Sequence, residues 1–373
     1  MTLQRTKLRN LRPHSRGLHQ AIVLLGTIMS VAAAPTRAVA QAKPVQPTLT
    51  IYFIDVEGGQ STLIVTPAGQ SYLIDAGFPS DGTFASKAGV ATAARDPQRI
   101  LAAAHDAGIS RIDYLMLTHY HADHAGGVPE LAQLLPIRTF IDHSAPLPEA
   151  EAAVAGTQAI YDAYVTLRAR GKHIEPKPGD RLPMKGVDIV VVSSAGRVLT
   201  KPLAGAGQKG LSCSASGVPA QEKTENPRST GVMLSFGAFR FLDVGDLSGP
   251  PLHSLVCPIN LVGSAAAYLV AHHGGSDAAD LAVLQSLNPL AAIFNNGPRK
   301  GAGAETFAVL RQVPSVDVWQ LHRSLNEGVV NMTDEHIANL DESTHAWIKL
   351  VARRNGSFTI TNARTGATKE YRR

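Results

Sequence analysis

Three histidines and an aspartate crowd into six positions of the chain: His119, His121, Asp123 and His124, inside the stretch THYHADHAGG at 118–127. Imidazole and carboxylate are donors that Zn²⁺ or Mn²⁺ takes at about 2 Å. His119 and His121 are two apart, so in extended backbone their side chains leave the same face. Gly126 and Gly127 then let the chain bend tightly and carry Asp123 and His124 round the corner. The plain alternative is a solvated, histidine-rich turn. It fits poorly, because the stretch follows RIDYLML, an apolar run that reads as a buried strand, and sites of α/β proteins gather at strand ends. Other histidines carry less. His105 lies in a helical run and reads as a surface residue, and His253, His336 and His345 show no ligand-like spacing. His322 closes the strand-like run SVDVWQLH and is a further candidate to reach the same edge.

The elements that must hold such a cluster follow from the patterning. LTIYFIDV, STLIVT and SYLIDAG are short β-branched and aromatic runs separated by turns, a β-meander. DPQRILAAAHDAGI reads as a helix with Asp96 at its N-cap, Pro97 in its first turn and Gly108 near its end. Strands expected at RIDYLML, TFIDHS, VDIVVVSS, VMLSFGAFRFLDVGD, AAYLVAHH, LAAIFNN and SVDVWQLH alternate with helices at PELAQLL, 149–170, 277–287 and 305–313. That mixed order predicts a layered α/β fold. Residues 198–228, rich in Gly, Ser, Ala and Lys, read as a long surface loop, a candidate lid. Asn355-Gly356 and Thr365-Gly366 turns between alternating runs make 331–373 a small β-rich C-terminal extension.

A chain of 373 residues, 44% hydrophobic and 17% charged, can bury a sizeable core. That excludes a disordered tail and a disulfide-dense miniprotein. The formal net charge of +5 misleads. Six of the 35 Lys/Arg (Arg5, Lys7, Arg9, Arg12, Arg16 and Arg37) precede residue 41, and no acid occurs before Asp55. The rest carries 29 cations against 30 acids, which gives no global basic field for nucleic acid or an anionic membrane. Only a local patch leaves nucleic acid open as a partner.

Residues 1–40 read as a secretory signal peptide: a basic start, an apolar stretch at 21–34 and a small-x-small site, Ala38-Val39-Ala40, with cleavage after Ala40. Fourteen residues rise about 21 Å as a helix, short of the roughly 30 Å hydrocarbon core, which argues against an uncleaved anchor. Residues 41–49 then form a linker and 50–330 the main domain, in a periplasmic or secreted protein with no membrane span after cleavage. In an oxidising compartment Cys213 and Cys257 could pair; two separate thiols are the other reading. Without CxxC spacing they make no zinc ribbon.

HxHxDH after a strand, preceded by LIDAG, closely resembles the metallo-β-lactamase superfamily; RFLDVGDL and YLVAHHGGSD are similar to two later elements of that family. The resemblance implies a metallo-β-lactamase αββα sandwich with a metal site at one edge. It implies that His119, His121 and Asp246 hold one divalent ion, and Asp123, His124, Asp246 and His272 a second. Two ions, Zn²⁺ foremost and Mn²⁺ as the alternative, would make hydroxide of a bridging water near neutral pH. Asp123 thereby counts as catalytic, and His273 is either the leaving-group acid or the ligand in place of His272. Asp75 would accept the N–H of a ligating histidine, with a turn or cap role as the other reading. Asn226, Arg228 and Ser229 are candidates for holding a substrate oxygen.

Within the superfamily the chain is most similar to the competence-protein (ComEC-like) hydrolase domain. DVEGGQS stands where that type has DVGQGD, and Asn226 and Ser229 match its N-x-x-S. The usual histidine between the HxHxDH block and the aspartate strand is missing, as it is in the competence type; only His143 and His173 lie there. NNGPRKGAGAE, by contrast, lacks the histidine of that type's NxYGHP-like segment. The resemblance implies an exported metal-dependent hydrolase of phosphoesters or phosphodiesters, with a small molecule or phosphodiester as substrate. The alternatives are a hydrolase of lactam, lactone or thioester bonds and a non-catalytic binding protein on the same fold.

Overall fold

Strands come first in chain order. β1 Leu49–Phe53, β2 Thr62–Val65, β3 Ser71–Ile74, β4 Ile112–Met116, β5 Ile137–Ile141 and β6 Lys172–Ile174 precede β7 Asp188–Ser194 and β8 Arg197–Val198. β9 Gly231–Phe236, β10 Phe239–Asp243, β11 Ala267–Leu269, β12 Ala291–Phe294, β13 Asp317–His322 and β14 Ile337–Asn339 follow, then β15 Ile348–Ala352, β16 Phe358–Asn362 and β17 Thr368–Tyr371. The computed structural model describes residues 47–79, 91–214 and 223–372, so the leader, its cleavage site and most of the linker lie outside the described residues.

One sheet has the order β17-β16-β15-β1-β2-β3-β4-β5-β6, the other β14-β13-β12-β11-β10-β9-β7-β8. Their facing sides share one core. Leu49, Ile51 and Phe53 of β1 meet Phe239 and Phe241 of β10 there, while Tyr52 points to the opposite face, the period-2 alternation of a strand covered on both sides. Phe53 and Phe241 meet edge to face at 5.7 Å. Truncating such a buried ring to Ala costs about 3–5 kcal/mol.

Helices cover the outer faces. α1 Arg95–Asp106, α2 Ala122–Ala125, α3 Val128–Leu134, α4 Pro148–Ala153 and α5 Thr157–Arg168 belong to the first half, and α6 Gly249–Ser254, α7 Leu281–Leu287 and α8 Ala304–Leu310 to the second. Ile100, Ala103 and Ala104 of α1, at helical spacing, pack on Leu63, Leu73 and Leu115. Leu252 of α6, Ala282 of α7 and Phe307 of α8 pack on Met233, Leu242 and Phe294 of the second sheet. The layers are therefore helix, sheet, sheet, helix, as the motifs led us to expect.

Several local expectations change. Asp96 is not an N-cap: the helix starts at Arg95 after Ala94, and the buried Asp96 carboxylate instead accepts the Phe78 N–H and the Arg95 Nε–H. The single helix expected over 149–170 is two: α4 ends before Val154, whose backbone is extended, and α5 begins after Gly156, at φ 93°. The C-terminal strands are built into the sandwich: β15 runs antiparallel along the whole of β1, and β14 extends the other sheet beside β13. Cys213 and Cys257 form a disulfide, tying the loop after β8 to the segment after α6. No helix among the described residues is long and apolar enough to cross a membrane.

β3, β4, β5 and β6 are mutually parallel, and so are β10 to β14. Their C-terminal ends supply Asp75 after β3, the 118–124 turn after β4, Asp246 after β10, and His272 and His273 after β11. All gather at one edge of the sandwich.

Candidate metal centre

The turn after β4 is shaped by close backbone approach. Gly127 lies so near the end of β3 that a Cβ there would come within 2.2 Å of the Ala76 carbonyl oxygen. Gly245, at φ 56°, faces Thr118, which a Cβ would meet at 2.6 Å. Glycine at both positions lets the β4 and β10 loops close on each other. The segment after β11 bends differently. His272 and His273 both sit in left-handed backbone, at φ 48° and 54°, and Asp75 does too, at φ 59°. Non-glycine residues rarely adopt this conformation, and neighbouring structure must hold them in it. Here it turns two consecutive imidazoles toward one carboxylate.

That carboxylate is Asp246. Its Oδ2 lies 3.2 Å from His124 Nε2, 3.2 Å from His273 Nε2, 3.5 Å from His272 Nε2 and 3.9 Å from His119 Nε2. Asp123 Oδ2 is 3.2 Å from both His124 Nε2 and His273 Nε2, and those two nitrogens are 3.3 Å apart. Donors placed 2.0–2.1 Å from a tetrahedral ion stand about 3.3 Å from one another. Asp123, His124, Asp246 and His273 meet that spacing in five of their six pairs. A second, looser set adjoins them: His119 Nε2 faces His121 Nδ1 at 2.9 Å, with Asp246 and His272 behind.

Buried atoms without partners mark the same place. His121 Nε2, Asp246 Oδ1 and His273 Nδ1 are buried and accept or donate no hydrogen bond in the structure. A buried polar atom left unmatched costs roughly 1–3 kcal/mol, so three in one cluster ask for an explanation. A divalent cation would match the Asp246 carboxylate, while His273 Nδ1 lies across the ring from the Nε2 that faces the donor set and is not matched by it. The donors are nitrogen and oxygen alone, a set that suits zinc or manganese.

Outer contacts orient the rings. Asp75 Oδ2 lies 2.7 Å from His124 Nδ1, and Asp75 also accepts the Thr118 N–H at 2.8 Å and its hydroxyl at 2.7 Å. The Thr118 hydroxyl spends its proton on Asp75, so toward His119 Nδ1, 3.0 Å away, it can only accept. His119 is thereby protonated on Nδ1, and its Nε2 lone pair faces the cluster. Asp277 Oδ2 holds His272 Nδ1 at 2.6 Å in the same manner. Beneath the site the Gln60 N–H donates to the Asp123 carbonyl, and its carboxamide bonds Asp243 and Asn295. Burial pushes the Asp243 carboxyl up to about 7.

Charge agrees with this arrangement. Burial drives the His119 pKa well below its ordinary value, and the imidazoles of His124 and His121 push the same way, leaving the neutral, ligating form. Burial acts to raise Asp246, but His124, His273 and His272 hold it well below the usual carboxylate range. Burial acts to lower His124, yet Asp246, Asp123 and Asp75 lift it well above the ordinary imidazole value. The carboxylates favour positive charge at their centre.

The structure distributes the residues expected from sequence as follows. His119, His121, Asp123, His124 and Asp246 come together, with Asp75 against His124. Between the adjacent histidines, His273 joins the regular four-donor set. His272, favoured as the ligand from its place in sequence, touches Asp246 from the other side, 3.3 Å from Asn226 Nδ2. Ser229 Oγ is 3.4 Å from His119 Nδ1. Arg228 is turned away: Nε pairs with Glu225 at 3.2 Å and Nη2 donates to the Ala145 carbonyl. His322 does not reach the site; its Nε2 lies 2.7 Å from Asp55. Sequence reasoning missed Lys300, whose ammonium contacts Asp123 Oδ2 and lies 3.5 Å from His273 Nε2. Its place just after β12, on the edge where the other candidates fall, was the available signal.

The family model described as Metallo-beta-lactamase superfamily matches residues 54–196. No curated protein gives a significant match. Among solved structures, a metallo-β-lactamase with a HARLDQ motif from Cronobacter sakazakii is 19% identical over 56% of this chain, with a TM-score of 0.30. The chain covers 65% of that protein's length. The metallo-β-lactamase fold protein YhfI from Bacillus subtilis is 12% identical over 73% of this chain and 96% of its own, with a TM-score of 0.42. Igni18, a metallo hydrolase from Ignicoccus hospitalis, is 15% identical over 73% of this chain and 94% of its own, with a TM-score of 0.40. The family match thus covers residues 54–196, the first part of a two-sheet α/β fold that continues beyond it.

Proposed function

We propose that this chain is an exported metal-dependent hydrolase acting on phosphoesters, phosphodiesters foremost. One observation carries the reading: four donors, Asp123, His124, Asp246 and His273, spaced as the ligands of a single cation, with Asp246 also facing His119 and His272. Asp123, His124, Asp246 and His273 would hold one ion; His119, His121, Asp246 and His272 would hold the other. A divalent ion there supplies Lewis acidity and makes water a nucleophile near neutral pH.

The chain's own residues do the rest. Asp75 and Asp277 fix the ring orientations of His124 and His272, and Thr118 fixes the protonation of His119. Asn226, 3.3 Å from His272 Nε2, would donate to a substrate oxygen, whereas Ser229 is buried on the Nδ1 side of His119, away from its ligating nitrogen. As the water oxygen bonds phosphorus, the bond to the leaving oxygen breaks with its electron pair, and that oxygen takes up a proton. Gln60, within DVEGGQS, supports the competence-type resemblance, since it braces the Asp123 turn against Asp243. The Cys213–Cys257 disulfide supports an oxidising compartment and hence export.

Metal-to-protein stoichiometry, followed by turnover of bis-p-nitrophenyl phosphate and nitrocefin with and without chelator, tests this. Phosphodiester turnover abolished by chelator and restored by Zn²⁺ or Mn²⁺ is expected. Turnover of nitrocefin alone would move the substrate to lactams, and full activity in chelator would remove the metal from the mechanism.

A further inference from the structure

Lys300 belongs to two places at once. Its ammonium touches Asp123 and His273, and it also lines a cleft of about 450 Å³ together with Glu57, Arg95, Arg99, Arg299 and Glu342. Arg95 and Arg99 are four apart on α1, so they share one helix face. Each is anchored from behind. Arg95 Nε pairs with the buried Asp96 at 2.6 Å, and Arg99 Nη1 pairs with the buried Asp55 at 2.6 Å and with Glu57 at 3.0 Å. These carboxylates fix the guanidinium groups and match their charge. Arg299 is exposed and makes no ion pair among the described residues, and the Lys300 side chain is 41% exposed. The cleft thus starts at the metal ligands, is floored by two immobilised arginines and carries two further cations at its rim.

Resting on the hydrolase reading above, we propose that this cleft is a subsite for a second anionic group, a phosphate one nucleotide unit away from the phosphodiester that is cut. Planar guanidinium groups offer five donors each and match phosphate oxygens in pairs. Arg95 and Arg99 present a preorganised floor, Arg299 supplies a cation with no ion pair among the described residues, and Lys300, paired with Asp123, adds a second cation at the rim. A chain whose overall charge gives no attraction for polyanions would in this way select them locally. The preferred substrate is then a phosphodiester inside a longer polyanion, not an isolated diester.

Two chromogenic probes test the subsite: thymidine 5′-(p-nitrophenyl phosphate) and the same compound carrying a 3′-phosphate. The metal-loaded native protein should show a KM at least about tenfold lower for the 3′-phosphorylated probe, about 1.4 kcal/mol, with kcat little changed. Arg299→Ala should lose that preference while its metal content stays native, and Lys172→Ala, in a basic groove near the start of β5, should keep it. Equal KM values for the two probes would overturn the subsite and leave the hydrolase reading standing. If neither probe is cut, calorimetric binding of thymidine 3′,5′-bisphosphate against thymidine 5′-monophosphate decides. Tighter bisphosphate binding that Arg299→Ala abolishes keeps the subsite and removes the phosphodiester reading; equal binding removes the subsite.

Discussion

Asp123, His124, Asp246 and His273 form one carboxylate–histidine cluster, and Asp55, Glu57 and His322 form another; in both, the ligand atoms lie within 4.8 Å of one another. Their surroundings differ. In the second, Arg99 Nη1 bonds Asp55 at 2.6 Å and Glu57 at 3.0 Å, and His322 Nε2 meets Asp55 at 2.7 Å, a hydrogen-bond distance that uses the nitrogen a metal would need. Two acids there face a guanidinium and an imidazole, and the charges balance. In the first, Asp75, Asp123 and Asp246 bring three negative charges, while the nearest fixed-charge cation, Lys300, sits on a flexible stem. Two of that cluster's buried atoms, Asp246 Oδ1 and His273 Nδ1, lack partners, as does His121 Nε2 beside it. The second cluster's acids are already matched by an arginine, whereas among the described residues no arginine reaches the first.

The largest effect should come from the balanced cluster. Arg99→Met takes one of the two cationic partners from the buried Asp55 and the only guanidinium from Glu57, leaving His322 alone to match both acids, which costs about 3–5 kcal/mol of stability. Urea unfolding should show the loss, and the folded variant should keep its full metal content. A parallel fall in metal would mean that the two clusters are one unit. Next in size is Asp246→Asn, which removes the shared charge while keeping the side chain's shape. Hydrolysis should drop by more than about a hundredfold, beyond the range of residues that only support a ligand. Metal stoichiometry should fall with it while circular dichroism stays native. Asp75→Asn should be milder, weakening metal binding by about 10–100-fold in a chelator competition, because it leaves the ligands in place and only loosens His124.

The sequence disclosed the centre better than its surroundings, for a physical reason. His119, His121, Asp123 and His124 are local, so spacing and a following pair of glycines were enough to bring them together. Asp246 and the adjacent histidines come from distant strands, and only a resemblance pointed to them. Where His272 and His273 point depends on backbone geometry that sequence does not carry, since both sit in left-handed conformations. Lys300 and the Arg99–Asp55 pair had no local signature. Asp96 misled because a helix-start pattern says nothing about a carboxylate drawn away to the Phe78 N–H. The C-terminal strands looked like an extension because pairing with β1, some 300 residues earlier, leaves no trace in local alternation.

The smallest effect separates the clusters by the sign of their pH dependence. Burial acts to lower the His322 pKa, but Asp55 and Glu57 raise it above the ordinary 6.5. Burial acts to raise Asp55, but His322 and Arg99 lower it below the ordinary 3.8. A raised histidine contributes its full stability below 6.5 and loses it as pH climbs through the folded-state value. A lowered aspartate contributes above 3.8 and loses it as pH falls through its own folded-state value. The stability difference between the native protein and His322→Asn should therefore be greatest between about pH 4 and 6.5 and shrink by pH 9, since Arg99 still holds Asp55 throughout. Metal affinity at the first cluster should run the opposite way, rising from pH 5.5 to 8, because ligating imidazoles must shed their protons. Denaturation curves and chelator competition over one pH series measure both, and two profiles of the same sign would erase the distinction between an ion-pair network and a metal site.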